Sequence, residues 1–467
     1  IGPASDSEET IREMIAAGMS VARINLSFGT DSDQAERVAR IRHAATAMNV
    51  HVAIMADTRG IEIRTGKLES ELLELQSGAD FALYCDGRIG TQQGVSVSYA
   101  GLYKEVDTGT IILLDDGAIE LTVIGIATST LHGRIIHGGI LRQNKGVNLP
   151  GTQLSLSAVS PENREDVIRE MSFSAKYGIE YVAASFIQTA EDIHKIREIQ
   201  LEFGSEIPLI AKIENRAGVK NLEEIVEAAN GVMVARGDLG VELPLADVPG
   251  MQKKIIRTTV SHGKPVITAT QMLASMESNP KPTRAEASDV ANAILDGTSA
   301  VMLSGETAMG KYPVKAVQTM ANLAAHAEAS LAEYGYLQKI KPDLSNRVTD
   351  AVSVAAIGMV DRLGAKAIFS LTETGFSARQ ISRHRPECPI FAVTMSDLTA
   401  RKLAMNWGVI PLLHLGDQND ESKISCGIKR ARSEGYLKTG DIALIVAGQH
   451  ETTGGTDYIR VFTLKEH

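Results

Sequence analysis

Short apolar runs alternate with amphipathic helical patterns along most of the chain. Two runs, at residues 21–25 and 52–57, flank a helical pattern at residues 34–48. After residue 150 the same rhythm gives five more runs, at residues 181–185, 209–213, 232–235, 266–269 and 300–303. Strands that alternate with helices predict a parallel sheet in an α/β fold.

The number of predicted strands favours a barrel. A closed (β/α)8 barrel needs eight strands, and the runs outside the insert described below supply seven. Residues 1–5 resemble a loop that follows a strand and leads into a helix at residues 7–17. We therefore expect the first strand just upstream of this sequence. An open, doubly wound sheet is the alternative.

One region departs from this alternation of strands and helices, and a second α/β unit follows the barrel. Residues 67–145 are rich in Val, Ile, Thr, Gly and Asp, with turn signals at Asp86-Gly87 and Asp116-Gly117, which predicts a small all-β insert. The last part of the chain reads as a second α/β unit. We predict a barrel at residues 1–63 and 147–340, a β-rich lid at 64–146 and a C-terminal α/β domain at 341–467.

Composition narrows the classes of function. The 47 Lys and Arg against 57 Asp and Glu give a net charge of −10, which argues against a broad nucleic-acid-binding surface. A local basic pocket for a phosphorylated small molecule is compatible with that charge. No apolar run is long enough to span a membrane. Cys85, Cys388 and Cys426 show no metal-site spacing and indicate a reducing, cytoplasmic compartment.

Polar side chains follow almost every predicted strand of the barrel. Because barrel active sites lie at the carboxyl ends of the strands, these residues should meet on one rim. They are Arg23, Asn25 and Ser27; Asp57 and Thr58; Ser185; Lys212 and Glu214; Arg236 and Asp238; Thr268 and Thr270; Ser304 and Glu306.

Seven of these residues indicate specific chemistry. Lys212 interrupts an apolar run, so its ammonium should be partly buried and need an anion. It forms either a structural Lys–Glu pair or a cation that stabilises an enolate or a phosphoryl group in transfer. Glu214 and Asp238 suit Mg²⁺ or Mn²⁺, or else serve as ion-pair partners. Four hard oxygen donors with one formal charge suit a large monovalent cation, or else a hydrogen-bond network: Asn25, Ser27, Asp57 and Thr58.

Nine segments, taken in order, resemble pyruvate kinase over essentially the whole chain. They lie at residues 22–27, 57–66, 115–117, 145–151, 211–215, 235–242, 268–273, 282–286 and 302–308. The resemblance implies a (β/α)8 TIM barrel, an inserted small β-barrel lid and a C-terminal α/β regulatory domain. It also implies phosphoryl transfer from phosphoenolpyruvate to ADP, which gives pyruvate and ATP, by a homotetramer.

The resemblance also implies roles for individual residues. Lys212 would stabilise the transition state, Arg23 would contact the phosphate, and Thr270 or a water chain near Ser304 and Glu306 would protonate the enolate. The implied substrate-binding residues are Arg23, Ser185, Lys212, Gly237, Asp238 and Thr270. The implied nucleotide-binding residues are Arg64, Lys145, Asp115 and Asp116. Glu214 and Asp238 would hold Mg²⁺ or Mn²⁺, and Asn25, Ser27, Asp57 and Thr58 would hold K⁺.

Several positions refine or depart from the family pattern. Glu62 belongs to the potassium-requiring pattern, so we expect K⁺ dependence. Phe28 replaces a common His near the nucleotide, and Ile61 replaces the usual Pro at the lid hinge. Neither position touches the metal or Lys212, so we expect activity to survive.

Residues 372–377 of the last domain resemble an effector loop. Thr372, Thr374, Gly375 and Ser377 would bind phosphate at a helix start, and residues 449–456 would fold over the ligand. Glu373 would oppose a doubly phosphorylated sugar, so a mono-phosphorylated sugar or an AMP-like nucleotide is as good a candidate as fructose 1,6-bisphosphate. An ordinary capped helix without a ligand is the alternative.

Two other functions are alternatives to the pyruvate kinase activity that the resemblance implies. A Mg²⁺-dependent enolate lyase or aldolase on a similar barrel would share the carboxylate pair but would not need Lys145, Asp115 and Asp116 for a nucleotide. A sensor that uses only the last domain would be expected to have damaged catalytic positions, whereas Lys212 and its carboxylate neighbours are intact.

Overall fold

Seven parallel strands form the central sheet of a computed structural model that describes residues 1–115, 117–152, 154–335, 340–342, 345–448 and 455–465. With strands numbered in chain order and β3–β10 in the insert, they are β1 (Val21–Asn25), β2 (Ala53–Asp57), β11 (Tyr181–Ala184), β12 (Leu209–Ile213), β13 (Gly231–Ala235), β14 (Val266–Ala269) and β15 (Ala300–Val301). Their spatial order is β1-β2-β11-β12-β13-β14-β15. The predicted fold class is confirmed, and the eighth strand upstream stays a prediction.

Burial on both faces explains why these segments are strands. Every residue of β2, β11, β13 and β14 is buried, as expected for a parallel sheet covered on both sides. The strands pair in register, so that Asn25 lies opposite Asp57 and Val234 opposite Thr268. The polar residues that follow the strands therefore collect at one edge of the sheet.

Twelve helices accompany the barrel strands in the described part of the chain. They are α1 (Glu8–Ala16), α2 (Asp31–Ala47), α3 (Arg164–Lys176), α4 (Ala190–Glu202), α5 (Arg216–Lys220), α6 (Leu222–Ala228), α7 (Arg236–Glu242), α8 (Val248–Ser261), α9 (Arg284–Leu295), α10 (Gly305–Ala308), α11 (Pro313–Ala329) and α12 (Leu331–Tyr334). Capping boxes fix three of the starts, with Thr30 and Asp33 at α2, Thr189 and Asp192 at α4, and Thr283 and Glu286 at α9. A 3₁₀ turn at Ala274–Glu277 follows β14. No helix within the described ranges is long and apolar enough to cross a membrane.

The insert is β-rich, as the sequence predicts, and has its own apolar core. Its strands are β3 (Leu72–Leu75), β4 (Asp80–Tyr84), β5 (Gly94–Ser96), β6 (Ile111–Leu114), β7 (Ile119–Ala127), β8 (Thr130–His137), β9 (Gly139–Arg142) and β10 (Val147–Asn148), with a 3₁₀ turn at Leu102–Lys104. Six of them form a sheet in the order β10-β6-β7-β8-β4-β5, and β3 pairs with β9. Strand β10 is the last strand of this sheet along the chain, so the sheet ends at Asn148.

The two segments that join the insert to the barrel are hydrogen-bonded to each other. The Thr65 N–H donates to the Lys145 carbonyl at 2.7 Å, and the Val147 N–H donates to the Ile63 carbonyl at 2.8 Å. The Lys145 N–H donates to Thr65 Oγ1 at 2.8 Å. The insert, called the lid below, is therefore attached by one paired hinge.

The C-terminal domain has a five-stranded sheet in the order β18-β17-β16-β19-β20, with β20 antiparallel to β19. Its elements are α13 (Arg347–Leu363), β16 (Ala367–Leu371), α14 (Phe376–Ser382), β17 (Ile390–Thr394), α15 (Asp397–Leu403), β18 (Val409–Leu413), α16 (Asp420–Ser433), β19 (Ile442–Ala447) and β20 (Tyr458–Thr463). The sequence did not predict β18 or α16. Strand β18 contains Pro411, which an edge strand tolerates. Helix α16 approaches the sheet at Gly427, where a Cβ would lie 2.7 Å from Phe369 Cδ1.

Candidate active site

The ammonium of Lys212 lies at the centre of the rim where the barrel strands end. Its Nζ is 2.7 Å from Ser185 Oγ, 2.8 Å from Glu214 Oε1 and 3.0 Å from Asp57 Oδ1. Ser185 follows the intervening strand β11, so the lysine reaches across that strand to the end of β2. Three oxygen acceptors match the three protons of an ammonium, which fixes its position.

Opposite charges outweigh burial at this lysine. Burial by itself would lower the pKa of Lys212, but the charges of Asp57 and Glu214 raise it above its ordinary value. Burial likewise would raise the pKa of Asp57, but Arg23 and Lys212 lower it. Lys212 is therefore a permanent cation at neutral pH, and Asp57 a permanent anion.

Arg23 is the second cation of the site. Its Nε and Nη2 both lie 2.6 Å from Asp57 Oδ2, while Lys212 holds the other oxygen of the same carboxylate. Arg23 lies on β1 and Asp57 on β2, and the two strands pair in parallel register. The structure thus brings two cations together around one buried carboxylate.

Glu214 and Asp238 stand in different surroundings. Glu214 is buried, with Oε1 on Lys212 and Oε2 accepting the Phe186 N–H at 2.7 Å. Asp238, on α7, has surface open to the cleft. The protein around its carboxylate, together with the charge of Glu214, raises the pKa of Asp238 to about 7. Lys212 is the ion-pair partner of Glu214, whereas Asp238 forms no ion pair with another described residue. This carboxylate pair fits a divalent cation.

The described ranges contain no cluster of three or more His, Cys, Asp or Glu arranged as a metal site. A two-carboxylate site that takes its remaining ligands from substrate and water agrees with this finding, because Mg²⁺ is commonly held by one or two carboxylates and substrate phosphates.

Thr270 is held in a strained conformation beside α7. Its Oγ1 accepts the Gly237 N–H at 2.8 Å. Thr270 and Gln271 have φ values of 65° and 54°, a region that non-glycine residues rarely adopt. Such strain persists only where surrounding structure imposes it, and it is concentrated at functional sites.

The four predicted K⁺ ligands are neighbours at the ends of β1 and β2. Asn25 lies opposite Asp57 in the strand register, and Asn25 Oδ1 accepts the Ser27 N–H at 2.9 Å. Thr58 Oγ1 accepts the Ser185 N–H at 3.0 Å, and Ser185 Oγ donates to the Thr58 carbonyl at 2.8 Å. A hydroxyl or amide oxygen has two lone pairs, so each side chain keeps acceptor capacity.

A cleft of about 580 Å³ lies between the lid and the barrel rim. Arg64, Lys145 and Asp115 line it together with Asp238. Lys145 Nζ is 2.9 Å from Asp115 Oδ1, and Arg64 pairs with Glu62. Asp116 lies outside the described residues.

The sequence did not identify several polar residues of this cleft. Glu242 lines it, and burial raises the pKa of Glu242 to about 7 while a hydrogen bond from Asn148 opposes the shift. Asp238 and Glu242 stand four residues apart on α7, so the i, i+4 spacing was a usable signal. Asn148 and Gln188 also line the cleft. Asn148 lies in the segment at residues 145–151 that resembles the family but was given no role, and Gln188 lies in none of the nine segments.

Ser304 and Glu306 follow β15, which pairs with β14, the strand that precedes Thr270. Glu306 is buried and accepts the N–H groups of Leu273 at 3.0 Å and Ser304 at 2.7 Å. Ser304 Oγ is buried with no partner among the described residues. Glu306 thus fixes the backbone at Leu273 and Ser304. The hydroxyl of Ser304 keeps its hydrogen-bonding capacity.

The loop at residues 372–377 is ordered by its own polar groups. Thr372 Oγ1 accepts the Gly375 N–H at 2.9 Å, and Gly375 has a φ of 79°. Ser377 Oγ bonds Thr456 Oγ1, and Thr374 is exposed. Of the loop expected to fold over a ligand, residues 449–454 lie outside the described residues.

Fold and site together define a barrel enzyme whose rim concentrates cations and paired carboxylates beneath a lid. Two family models match the sequence: "Pyruvate kinase, barrel domain" over residues 1–317 and "Pyruvate kinase, alpha/beta domain" over residues 350–462. The chain belongs to the pyruvate kinase family, and it is an enzyme of that family.

Full-length relatives agree with this assignment. A pyruvate kinase of Clostridium acetobutylicum is 43% identical over 458 residues, covering 98% of this chain and 96% of the relative. Pyruvate kinases of Bacillus licheniformis and Staphylococcus aureus (strain MRSA252) are 41% and 43% identical, and they cover 99% of this chain and 79% of their own lengths. The latter two relatives are therefore longer than this chain.

Proposed function

We propose that the chain transfers the phosphoryl group of phosphoenolpyruvate to ADP, forming pyruvate and ATP, as a cytoplasmic homotetramer. The proposal includes dependence on K⁺ and on Mg²⁺ or Mn²⁺, and regulation by a phosphorylated effector. The observation that carries it is the ammonium of Lys212, held between Asp57 and Glu214 on the rim below the lid.

The transferred group needs positive charge more than covalent help. Phosphoryl transfer spreads negative charge over the oxygens of the group and leaves an enolate behind. Lys212 and Arg23 supply two fixed cations. The substrate carboxylate is proposed to bind at Gly237, Asp238 and Thr270, where the Gly237 N–H donates to Thr270 Oγ1 in this structure. A preorganised cation stabilises the transition state more than surrounding water would, because the cation does not have to reorganise during the reaction.

Glu214 and Asp238 would hold the divalent cation. When bound, that ion supplies charge that neutralises the phosphoryl oxygens. Lys212 already binds Glu214 Oε1, so the lysine orients this carboxylate as well as contacting substrate.

Protonation of the enolate is assigned to the Thr270 side of the rim. Ser304 Oγ is buried and without a partner among the described residues, so its hydroxyl is proposed to bind a water of the chain that protonates the enolate. Arg64 and Lys145 would bind the nucleotide phosphates, and closure of the lid would exclude the water that otherwise hydrolyses the donor.

K⁺ is proposed at Asn25, Ser27, Asp57 and Thr58. Their oxygens carry one formal charge, which Arg23 and Lys212 share, and a weakly charged oxygen set suits a large monovalent ion. Replacing K⁺ by Na⁺ or choline at constant ionic strength should lower turnover strongly. Unchanged turnover in choline would contradict the K⁺ assignment.

The effector is proposed to bind at Thr372, Thr374, Gly375 and Ser377. The positive φ of Gly375 and the N–H groups at the start of α14 support an anion there, whereas Glu373 disfavours a second phosphate. A panel of sugar monophosphates, fructose 1,6-bisphosphate and AMP should change the phosphoenolpyruvate concentration for half-maximal rate. No response to any of them would favour an ordinary capped helix.

The reaction itself is tested by a coupled assay. With phosphoenolpyruvate, ADP, Mg²⁺ and K⁺, we expect pyruvate-dependent NADH loss through lactate dehydrogenase. ATP formation, measured in parallel, separates phosphoryl transfer from a lyase or aldolase that releases pyruvate without a nucleotide. Sedimentation of the purified chain tests the tetramer.

A further inference from the structure

A buried carboxylate joins the barrel to the C-terminal domain. Glu180 precedes β11 and is fully buried. Arg42 of α2 donates to both its oxygens, at 2.7 and 2.8 Å, and the Ile54 N–H of β2 donates to Oε2 at 2.6 Å. Arg401 of α15 donates from Nε to Oε1 at 2.7 Å. One carboxylate thus holds two barrel strands and a helix of the other domain.

The two strands that Glu180 joins end in the active site. Strand β2 runs from the Ile54 contact to Asp57, and Ser185 directly follows β11. Both Asp57 and Ser185 contact Lys212 Nζ, at 3.0 and 2.7 Å. At that end the strands are joined again, because Ser185 Oγ donates to the Thr58 carbonyl. The strand pair is therefore fixed at both ends.

Helix α15 also contacts the loop at residues 372–377. Thr399 Oγ1 donates to the Glu373 carbonyl at 2.8 Å, two residues before Arg401 on the same helix. The hydroxyl of Tyr181, the first residue of β11, donates to the Lys402 carbonyl at 2.6 Å. Helix α15 thus touches the loop at one end and the start of β11 at the other.

We propose that Glu180 and Arg401 form a positioning pair through which the loop at residues 372–377 controls the placement of Asp57 and Ser185 around Lys212. A ligand that moves the Glu373 carbonyl shifts α15 through Thr399. Arg401 passes that shift to Glu180 and hence to the base of both strands. The inference rests on the proposed function, since it assumes that a phosphorylated ligand binds the loop.

Charge and burial make the ion pair between Glu180 and Arg401 strong enough to couple the two domains. Glu180 is fully buried, and Arg42 and Arg401 are three-quarters or more buried, so water screens the pair weakly. Removing Arg401 still leaves Glu180 with Arg42 and the Ile54 N–H, so the carboxylate keeps a cation and a donor. The fold should therefore tolerate substitution of Arg401 better than substitution of Glu180.

The test compares Arg401→Gln with Arg432→Gln. Arg432 lies on α16 of the same domain and donates to the Lys465 carbonyl at 2.8 Å, away from the barrel. The readouts are turnover at saturating substrate, the half-saturating phosphoenolpyruvate concentration with and without the effector panel, and effector binding by calorimetry. Arg401→Lys, which keeps the charge, is the conservative variant. The thermal midpoints of the variants control for folding.

The expected result separates binding from response. In wild type and Arg432→Gln, the effector should shift half-saturation by about fivefold or more, a common size for allosteric coupling. In Arg401→Gln that shift should disappear, while turnover and effector affinity stay within about twofold of wild type; Arg401→Lys should recover part of it. A wild-type shift in Arg401→Gln would overturn the proposal.

A ligand-free measurement keeps the two proposals distinguishable. If no compound affects the wild type, the effector assignment fails, and Thr372→Val serves as the perturbation of the loop. Its effect on half-saturation should then be lost in the Arg401→Gln background. Additive effects of the two substitutions would overturn the coupling, because independent sites add.

Discussion

Replacing Lys212 by Met is the sharpest test of the proposed chemistry. Methionine keeps most of the side-chain volume but removes the charge. The ammonium lies 2.8 Å from Glu214 Oε1 and 3.0 Å from Asp57 Oδ1. At an effective dielectric of 20, a unit charge pair at such a distance interacts by about 6 kcal/mol before desolvation is counted.

The catalytic loss should be smaller than this Coulomb energy but still large. Removing one preorganised electrostatic group commonly costs about 3 kcal/mol or more in the transition state, which corresponds to about 100-fold or more in turnover. Breaking a buried ion pair also destabilises the fold. Here Asp57 keeps Arg23, and Glu214 keeps the Phe186 N–H, so the variant should fold with a lower thermal midpoint.

The assay is pyruvate formation coupled to NADH oxidation, with circular dichroism to confirm folding. Lys176→Met is the matched control, because Lys176 is exposed on α3 and lies over the ring of Tyr177. The control should retain turnover within about twofold, as expected for a surface substitution. A folded Lys212→Met enzyme with turnover within threefold of wild type would refute the role assigned to this lysine.

Three further predictions concern carboxylates and packing. Burial raises the pKa of Glu170 from 4.5 to about 7, so its contribution to stability is present below pH 4.5 and lost as pH rises through 7. Glu170→Gln should raise the free energy of unfolding at pH 8 by up to about 3 kcal/mol. Urea melts over a range of pH should show that the free energy of unfolding of the variant depends less on pH than that of wild type. Parallel curves of unfolding free energy against pH for the two proteins would contradict this. Because the pKa of Asp238 is about 7, the Mg²⁺ concentration for half-maximal activity should fall about tenfold from pH 6 to pH 8, and a pH-independent requirement would argue against Asp238 as a ligand. Gly427→Ala should destabilise by about 1–3 kcal/mol through its clash with Phe369, whereas Gly358→Ala, whose Cβ meets nothing within 4 Å, should not, as thermal melts of both variants would report.

The barrel strands were predictable because burial on both faces leaves a clear signal. Runs such as residues 209–213 and 266–269 coincide with observed strands. Strand β18 was not predicted, since Pro411 argues against a strand unless its edge position is known. Helix α16 was not predicted either, because its sequence combines many charged residues with Gly427. That glycine is needed because the helix lies close to Phe369, and only the folded structure shows this contact.

The site residues were predictable at strand ends, but their pairing was not. The sequence indicated an anionic partner for Lys212 and offered Glu214, two residues further along the chain and just after β12. Asp57 is a second partner, and it is reached across β11 because the strands stand in the order β2-β11-β12. Sequence spacing cannot reveal that contact, since β2 and β12 are separated by the whole lid in the chain.

Glu180 shows a different limit of sequence reasoning. It directly precedes β11, at the end of that strand opposite the rim, and no motif distinguishes it from a surface glutamate. Its importance arises because Arg42 and Arg401 approach it from two domains. Only the packing of the C-terminal domain on the barrel produces that arrangement.

The paired hinge of the lid has a consequence for how the barrel folds. The chain leaves the barrel near Ile63 and returns near Val147, and the two residues are hydrogen-bonded neighbours. Because these ends adjoin, a short turn should be able to replace the more than eighty residues between them. The barrel should then fold without the lid, but under the proposed function its reacting groups would be open to bulk water.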